Sequence, residues 1–225
     1  MQPIDRQDFT DTLCASLQRE SIIDVGRTLN ERWSPEQIAE LLHDHEADVR
    51  KLAAMAIGLT GTVHHTPVLV RALHDRDLFV AKMAEYSLWS IWFRAGNAAA
   101  AGGFRAALES MDREEFEGAV KNCDLATDAD PTFAEAYHQR AIALFFLNRF
   151  QEAIDSTEVA TELIPAHFGA LATMGHCYAA MDLMSDAARC YRNALWVNPT
   201  MHEIRRALSK LEKSMSEAAG SRQSA

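Results

Sequence analysis

The sequence contains few of the residues that build small cross-linked or zinc-centred domains. Only four cysteines occur in 225 residues, and no two of them have the CxxC spacing of a zinc ribbon or a redox pair. A disulfide scaffold and a zinc module of that kind are therefore disfavoured. Because each cysteine falls inside a predicted helix, we interpret all four as small, reduced core residues. They are Cys14, Cys123, Cys177 and Cys190.

Residues that interrupt helices are also scarce, with ten glycines and six prolines against an abundance of Ala, Leu, Glu, Arg and Met. This composition favours helix over sheet, and 48% hydrophobic residues suffice to bury a core. We therefore predict an all-α fold.

Positive charge and long apolar runs are missing as well. The formal net charge is −10, with 10 basic against 14 acidic residues in 1–97 and 12 against 18 in 98–225. Nucleic acids and anionic membranes both attract basic surfaces, so neither is a predicted partner. No run of about 18 apolar residues occurs, as a membrane helix needs, and the first residues do not resemble a signal peptide. We predict a cytoplasmic protein.

Motifs of common enzyme classes are absent, among them the glycine-rich phosphate loops and the GxSxG nucleophile turn. His176 and Cys177 are adjacent, but neighbours on a helix point about 100° apart, so these two do not form a catalytic pair. Five histidines within 43–74 supply enough imidazoles for zinc. Since His43 and His74 are repeat equivalents, repetition explains them, and we expect no metal site, no cofactor and no catalytic residue.

A 34-residue period organises the C-terminal half. Prolines recur at Pro131, Pro165 and Pro199, and each forces the residue before it out of the αR region, which ends a helix. Small side chains that recur at the same period allow antiparallel helices to pack closely. The pattern predicts two helices per unit. The small columns are Ala107/Ala141/Gly175, Ala119/Ala153/Ala187 and Ala126/Ala160/Ala194, beside the large apolar column Phe116/Phe150/Met184.

These columns resemble the tetratricopeptide repeat (TPR) family over about residues 100–201. The resemblance implies a stack of helical hairpins within a domain of 98–218. The first copy departs from the family pattern, because Gly102 and Gly103 fall where a bulky aromatic residue is usual. The expected repeats are 100–133, 134–167 and 168–201.

The residues after the third repeat predict a capping helix, since apolar residues recur there at helical spacing. A terminal hairpin would otherwise expose its stacking face. We interpret the basic side of this helix as a solvated face, and 219–225 as a disordered tail. The apolar side comprises Met201, Ile204, Leu208, Leu211 and Met215, and the basic side His202, Arg205, Arg206, Lys210 and Lys213.

A second, shorter repeat occupies the N-terminal half, where Leu42-His43-Asp44 aligns with Leu73-His74-Asp75 at an offset of 31. The pattern resembles short HEAT-like repeats over about 34–94, in a domain of 1–97. Capping and helix-starting residues support two hairpins. Ser34 with Gln37 and Thr66 with Pro67 begin the first helices, and Asp48 and Asp77 are expected to cap the second helices.

Two further helices of this half are predicted from apolar spacing. Residues 8–33 show one apolar face and form an N-terminal cap. The helix 77–94 is apolar on two sides, which predicts a junction that joins both arrays into one right-handed α-α superhelix. The alternative is a flexible joint at 96–103, because a glycine pair weakens a helix. The faces are Ile22, Val25, Leu29 and Trp33 in the cap, and Met83, Leu88 and Ile91 opposite Tyr86, Trp89 and Phe93 in the junction helix.

The TPR resemblance implies a function in protein binding. In that family the first helix of each hairpin lines a concave groove for a peptide or helix of a partner. Carried over at the repeat period, the lining is apolar and aromatic at one end and small, at Ala172 and Ala179, at the other. We predict a non-catalytic scaffold whose partner has apolar anchors, in a monomer or weak homo-oligomer. The predicted binding residues are Phe104, Leu108, Met111, His138, Ile142, Phe145, Phe146 and His176.

Two alternatives stay open. The apolar residues Leu108, Ile142 and Phe145 either line the groove or pack inside the solenoid. HEAT-like relatives also include metal-dependent hydroxylases and bilin-attaching enzymes, so an enzyme or enzyme accessory whose TPRs recruit the substrate is the alternative function. The hydroxylase ligands do not carry over, because the pair His45-Glu46 is not repeated in the next copy.

Some TPR proteins hold chaperone tails with a clamp of Lys, Asn and Arg that binds the terminal carboxylate. The matching positions of this chain contain no cation, so we expect no binding of chaperone tails. These positions are Phe104, Leu108, Gln139, Gly169 and Thr173.

Overall fold

The structure is a computed structural model that describes residues 4–19 and 21–223, with side chains as far as Glu217. Every element in these ranges is helical, which confirms the predicted all-α class. The chain divides into two compact units, Met1–Ala95 and Gly96–Ala225. The side chains of the predicted tail 219–225, and its last two residues, lie outside the described part.

The N-terminal unit contains six α-helices and two short 3-10 turns. The first two helices precede the repeated segment, and the 3-10 turns Leu41–His43 and Val63–His65 lie next to α3 and α5. The helices are α1 (Arg6–Arg19), α2 (Ile22–Arg32), α3 (Pro35–Glu40), α4 (Ala47–Thr60), α5 (Thr66–Ala72) and α6 (Leu78–Phe93).

The shorter repeat has a structural counterpart in its aligned aspartates, Asp44 and Asp75. Each aspartate accepts a hydrogen bond of 2.8 Å from the backbone amide two residues further on. Each also binds an arginine from an earlier helix. Arg50, which is buried, holds the half-buried Asp75 through two bonds of 2.7 and 2.8 Å, and the exposed Arg6 lies 3.6 Å from Asp44. The two copies therefore share the backbone bond of the aligned aspartate, whereas its arginine contact differs between them.

The predicted helix starts are mostly confirmed. Ser34 and Gln37 form a reciprocal capping box at α3, and the Asp77 carboxylate accepts two backbone N–H groups at the start of α6. The predicted cap at Asp48 is wrong, because α4 begins at Ala47 and places Asp48 in its first turn. Glu46 aligns with Asp77 in the repeat and is the N-cap residue, but its side chain makes no capping bond.

Part of the predicted core of this unit is exposed. On α6, Leu88 and Ile91 are buried as predicted, but Tyr86 is 69% exposed, so burial of both faces is wrong. In the cap, Ile22 is 57% exposed, whereas the other three residues of its predicted face are buried. Cys14 is also exposed, because α1 buries the face that holds Phe9, Leu13 and Ser16. The other three cysteines are buried, as predicted.

The C-terminal unit is a stack of three hairpins closed by one long helix. In each hairpin the first helix packs on the second, and each second helix packs on the first helix of the next hairpin. The first helices also contact one another, α7 with α9 and α9 with α11; we call the continuous face that they form the groove. The helices are α7 (Ala100–Asp112), α8 (Phe116–Ala129), α9 (Ala134–Phe146), α10 (Phe150–Leu163), α11 (Phe168–Ala180), α12 (Met184–Val197) and α13 (His202–Gln223).

The small columns lie at the closest helix contacts, as the period predicts. All of their alanines are fully buried. At Gly175 a Cβ atom would lie 2.5 Å from the Tyr191 ring, so not even a methyl group fits there. In the first hairpin, Gly103 fits the same reasoning, because a Cβ atom would lie 3.1 Å from the carbonyl oxygen of Asn122 in α8. The departure from the family pattern thus allows α7 to approach α8 closely.

The second helices end before the prolines for the predicted reason. Asp130, Ile164 and Asn198 adopt ψ angles of 89°, 91° and 94°, far from the helical region. The capping helix α13 buries Ile204 and Leu211 against α12, and the rest of its predicted apolar side is partly buried in the same cluster.

The turn inside each hairpin contains a left-handed residue that the sequence pattern did not indicate. Glu114, Asn148 and Asp182 have φ angles of 58°, 60° and 59° and occupy the same position in the three successive repeats. The residue after each one donates its N–H to a carbonyl five residues back, at 2.8 to 2.9 Å, which is the Schellman ending of a helix. Glycine usually occupies this position, and its absence from all three copies concealed the turn.

Candidate peptide-binding groove

The predicted binding residues divide into three groups by exposure. Phe104 and His138 are buried, at 5% and 4%, so they are not available to a partner on the surface. Leu108, Met111, Ile142 and Phe145 are half-buried, and Phe146 and His176 are exposed. Phe104 is buried because its ring packs at 4.6 Å from Phe133, the residue before α9.

Four phenylalanines form a continuous cluster, the aromatic ridge, where the turns of the first and second hairpins meet. Phe145 and Phe146 are the last residues of α9, and Phe116 and Phe150 are the first residues of α8 and α10. Phe146 stacks on Phe116 with ring centroids 4.7 Å apart and planes 12° apart. Phe145 lies 5.6 Å from Phe150 and 6.3 Å from His176 of α11. The ridge therefore links all three hairpins.

Phe146 keeps 55% of its surface exposed despite this stacking. An aromatic side chain held by its neighbours and still open to solvent loses little conformational freedom when a partner covers it. The sequence identified Phe145 and Phe146 as lining residues. It placed Phe116 and Phe150 in a large apolar column, but gave no sign that the Phe116 ring supports Phe146.

A buried polar trio lies beneath the groove, between the second and third hairpins. Glu135 and His138 belong to α9, and His167 precedes α11; their exposures are 0%, 4% and 0%. One Glu135 oxygen lies 3.2 Å from His138 Nδ1 and accepts a 2.6 Å bond from the Gln139 amide. The other lies 3.0 Å from His167 Nε2. The His138 Nε2 atom is 3.2 Å from Thr173 Oγ1 of α11.

The geometry fixes the proton position on His167. Its Nδ1 atom accepts the backbone N–H of Ala170 at 3.2 Å and so caps α11. The proton of the neutral ring must then be on Nε2, which donates to Glu135. Burial lowers the pKa of His167, and the bond to Glu135 only partly opposes this. Burial would raise the pKa of Glu135, but His138 and His167 lower it to about 2.

The first hairpin shows that the fold does not need this trio. The His138 and His167 rings lie 4.8 Å apart at 61°, and their counterparts one repeat earlier, Phe104 and Phe133, lie 4.6 Å apart at 60°. Ala101 stands where the second hairpin has Glu135. The two ring pairs have the same packing geometry. Phenylalanine rings without any polar group therefore pack in the way that the two histidine rings do.

The trio is also the group of possible metal ligands that the described residues bring together, with ligand atoms up to 4.8 Å apart. Two nitrogen ligands of one zinc ion are separated by at most about 4.2 Å, since each bond is about 2.1 Å long. Coordination through His167 Nε2 would also put a proton on Nδ1, facing the N–H of Ala170. Both observations favour a hydrogen-bonded trio over a metal centre. No described histidine within 43–74 belongs to such a group.

The cysteines of this unit are unsuited to nucleophilic chemistry. Burial raises the pKa of Cys123 and of Cys177 to about 12, so both thiols stay protonated at neutral pH. His176 does not face Cys177; its Nδ1 atom lies 2.8 Å from the hydroxyl of Tyr191.

The positions that match the chaperone-tail clamp are occupied internally. Gln139 donates to Glu135, and the Thr173 hydroxyl is bonded to His138. Phe104 and Gly169 are buried, and Leu108 is half-buried. The side chains here therefore offer no charged donor to a peptide terminus.

Comparisons with known proteins agree with this fold. A family model described as the N-terminal TPR repeats region of Psidin matches residues 104–210. No curated protein sequence matches the chain. Solved TPR domains superpose on about half of it. Together with the geometry, these matches support TPR repeats over residues 104–210.

Three of these structures illustrate the likeness. The first TPR of Spaghetti (RPAP3), solved with an HSP90 peptide, has a TM-score of 0.51 at 21% identity and covers 52% of this chain and 94% of its own. The TPR2B domain of yeast Sti1, in complex with an Hsp70 peptide, has a TM-score of 0.51 at 22% identity and covers 52% of this chain and 99% of its own. The Sgt2 TPR domain of Aspergillus fumigatus has a TM-score of 0.53 at 18% identity and covers 55% of this chain and 83% of its own. At these identities the likeness concerns the fold.

The HEAT-like pattern of the N-terminal half is not confirmed by these comparisons and stays a prediction. Across the residues that the structure describes, no helix is both long and apolar enough to cross a membrane.

Proposed function

We propose that the C-terminal unit is a non-catalytic scaffold that binds a segment of a partner protein in its groove. The observation that carries this proposal is the exposed ring of Phe146 on the aromatic ridge. This ring continues into the three half-buried phenylalanines of the ridge. Contiguous apolar surface marks interaction sites, whereas singly exposed residues do not, and aromatic residues are common anchors of interfaces. The peptide complexes of similar TPR domains support the same mode of binding.

The chemistry of the groove favours apolar anchors over a chain terminus. Met111, Ile142 and Phe145 are half-buried beside Phe146, so Leu or Phe side chains of a helix or extended segment would complete their burial. A terminal carboxylate would find no Lys, Arg or Asn at the clamp positions. We therefore propose a partner different from the HSP90 and Hsp70 peptides of the similar complexes.

The test compares Phe146→Ala with Trp196→Ala as its matched control. Both remove an exposed aromatic side chain, at 55% and 82% exposure, but Trp196 lies on the second helix α12 and outside the ridge. A partner is first captured with the wild-type chain and then titrated. We expect Phe146→Ala to weaken its binding at least about tenfold, as a central aromatic anchor does, and Trp196→Ala to have little effect. Equal binding by both variants would refute the groove.

We also propose that the N-terminal unit consists of two HEAT-like hairpins in a cytoplasmic protein. The equivalent backbone bonds of Asp44 and Asp75 support the repeat. Among the residues that the structure describes, no histidine within 43–74 belongs to a group of possible metal ligands. This part of the unit therefore does not favour the alternative function as a metal-dependent enzyme. Metal analysis and an absorbance spectrum of protein purified without a histidine tag test this, because stoichiometric metal or a bound bilin would contradict a function limited to scaffolding.

A further inference from the structure

The capping helix α13 continues the repeat register, although no second helix follows it. It packs on α12 as the first helix of a fourth hairpin would, with Ile204 and Leu211 buried at the contact. The repeat period therefore assigns groove-lining positions to α13 as well. Arg206, Lys210 and Lys213 occupy them, one period after Ala172, His176 and Ala179. We call these three residues the basic strip.

The residues of the basic strip differ in charge from the equivalent residues of the three hairpins. In the three hairpins these columns contain no lysine and no arginine, and in α13 all three positions are cationic. The chain as a whole is acidic, with a net charge of −10, so its composition does not account for three cations in one row. The columns are Phe104/His138/Ala172/Arg206, Leu108/Ile142/His176/Lys210 and Met111/Phe145/Ala179/Lys213.

The strip is open to solvent and weakly neutralised. Arg206 is paired with Glu203 on the same helix, and Lys213 lies 4.0 Å from Glu217, with side-chain exposures of 73% and 79%. Exposed pairs of this type contribute little and exchange readily with other partners. Within the described residues the Lys210 ammonium has no ion pair, since no carboxylate lies within 4.0 Å of it. The strip can therefore accept carboxylates from outside the chain.

Helix-end electrostatics does not explain the strip. Cations stabilise a helix when they lie in its last turn, but α13 extends to Gln223, well beyond Lys213. The strip also lies opposite the apolar side of the helix, so it takes no part in packing on α12. Its three positions continue the groove-lining columns of the repeat, and this register distinguishes the strip from a dispersed solvated face.

We propose that the aromatic ridge and the basic strip bind one protein segment, with apolar anchors on the ridge and Asp or Glu side chains on the strip. This inference rests on the proposed function and names the chemistry of the partner. Phe145, Ala179 and Lys213 share one column on successive helices, and neighbouring helices are separated by about 10 Å, so ridge and strip are about 20 Å apart. A helical segment of about 13 residues spans that distance.

The charge pattern favours protein over polyanion. Glu203 and Glu212 flank the strip on α13, and three cations on an acidic chain would neutralise few phosphates. Discrete carboxylates on a segment already anchored by Leu or Phe match three cations in a row. The recognition uses internal side chains, so a free terminal carboxylate is not required.

The test uses a fluorescent synthetic helical peptide with Leu and Phe at one end and three glutamates about 13 residues further on. A second peptide replaces the glutamates by glutamine, and a third amidates the C-terminus of the first. We expect the wild-type chain to bind the first and third peptides equally and the glutamine peptide about tenfold more weakly. The difference should shrink as salt is raised to about 1 M.

Variants locate the effect. Lys210→Glu with Lys213→Glu should remove the preference for glutamate, whereas Lys121→Glu with Arg113→Glu, exposed cations off the strip with the same charge change, should retain it. Phe146→Ala should weaken both peptides. Equal binding of glutamate and glutamine peptides would overturn the inference and leave the groove intact, provided that Phe146→Ala weakens both. Failure to bind any peptide, or strip-dependent binding of an oligonucleotide or anionic vesicle instead, would also overturn it.

Discussion

The polar trio can be exchanged for the residues that the first hairpin has in the same columns: Glu135→Ala, His138→Phe and His167→Phe together. The two ring pairs are nearly superposable, with separations of 4.8 and 4.6 Å and interplanar angles of 61° and 60°. Replacing a buried polar network by apolar residues of similar shape is often neutral, or stabilising by about 1–4 kcal/mol. We expect the triple variant to be at least as stable as the wild type.

The single variant His167→Phe should behave differently. It removes one hydrogen bond to a fully buried carboxylate and the cap on Ala170, while Glu135 stays in place. Leaving a buried charge with too few partners costs about 3–5 kcal/mol. Urea unfolding followed by circular dichroism at neutral pH measures both variants. A triple variant that loses as much stability as His167→Phe would show that the two ring pairs are not equivalent in packing.

The same variants give a pH dependence with a defined sign. The pKa of His167 is lowered from 6.5, so the folded state binds fewer protons there, and its contribution to stability is complete above about pH 6.5 and declines below it. The pKa of Glu135 is lowered from 4.5 to about 2, so its contribution is complete above about pH 4.5 and is lost as the pH falls to about 2. The triple variant should lack both declines. Parallel stability curves for the two proteins would contradict this.

Three further predictions concern stability and use the same unfolding assay. Glu114→Gly should stabilise the chain by about 1 kcal/mol, because a non-glycine residue at φ 58° is strained; a loss would show that its side chain has another role. Gly175→Ala should destabilise by about 1–3 kcal/mol, whereas Gly102→Ala, with nothing within 4 Å of its Cβ position, should be neutral or stabilising. Arg50→Ala should cost about 1–3 kcal/mol, since it removes two charge-assisted hydrogen bonds from the half-buried carboxylate of Asp75; a cost below about 1 kcal/mol would mean that water replaces these bonds.

The hairpins could be predicted from the sequence because each one depends on steric requirements at single repeat positions. A small residue at Ala107 or Gly175, or a proline at Pro165, constrains the backbone wherever the rest of the chain lies. The error at Asp48 arose from the opposite situation. Several acidic residues stand near that helix start, and only the structure selects Glu46 as the residue outside the first turn.

The candidate site was predicted less completely, because its polar contacts join residues that are distant in sequence. Glu135 and His167 are separated by 32 positions, and nothing in either residue type indicates that they meet. His138 was identified as a lining residue from its column, but burial against Glu135 removed it from the surface. Exposed rings such as Phe146 follow from the same column reasoning, whereas their support by Phe116 depends on three-dimensional stacking.

Hydrogen–deuterium exchange of the chain with and without a captured partner tests the central proposal most directly, since it compares all helices in one experiment. A segment bound in the groove should slow amide exchange in α9, α11 and α13, and most strongly around Phe145 and Phe146 at the end of α9. Exchange in α12 around the exposed Trp196 should stay unchanged. Protection confined to α1–α6, or to the second helices α8, α10 and α12, would contradict the groove as the binding site.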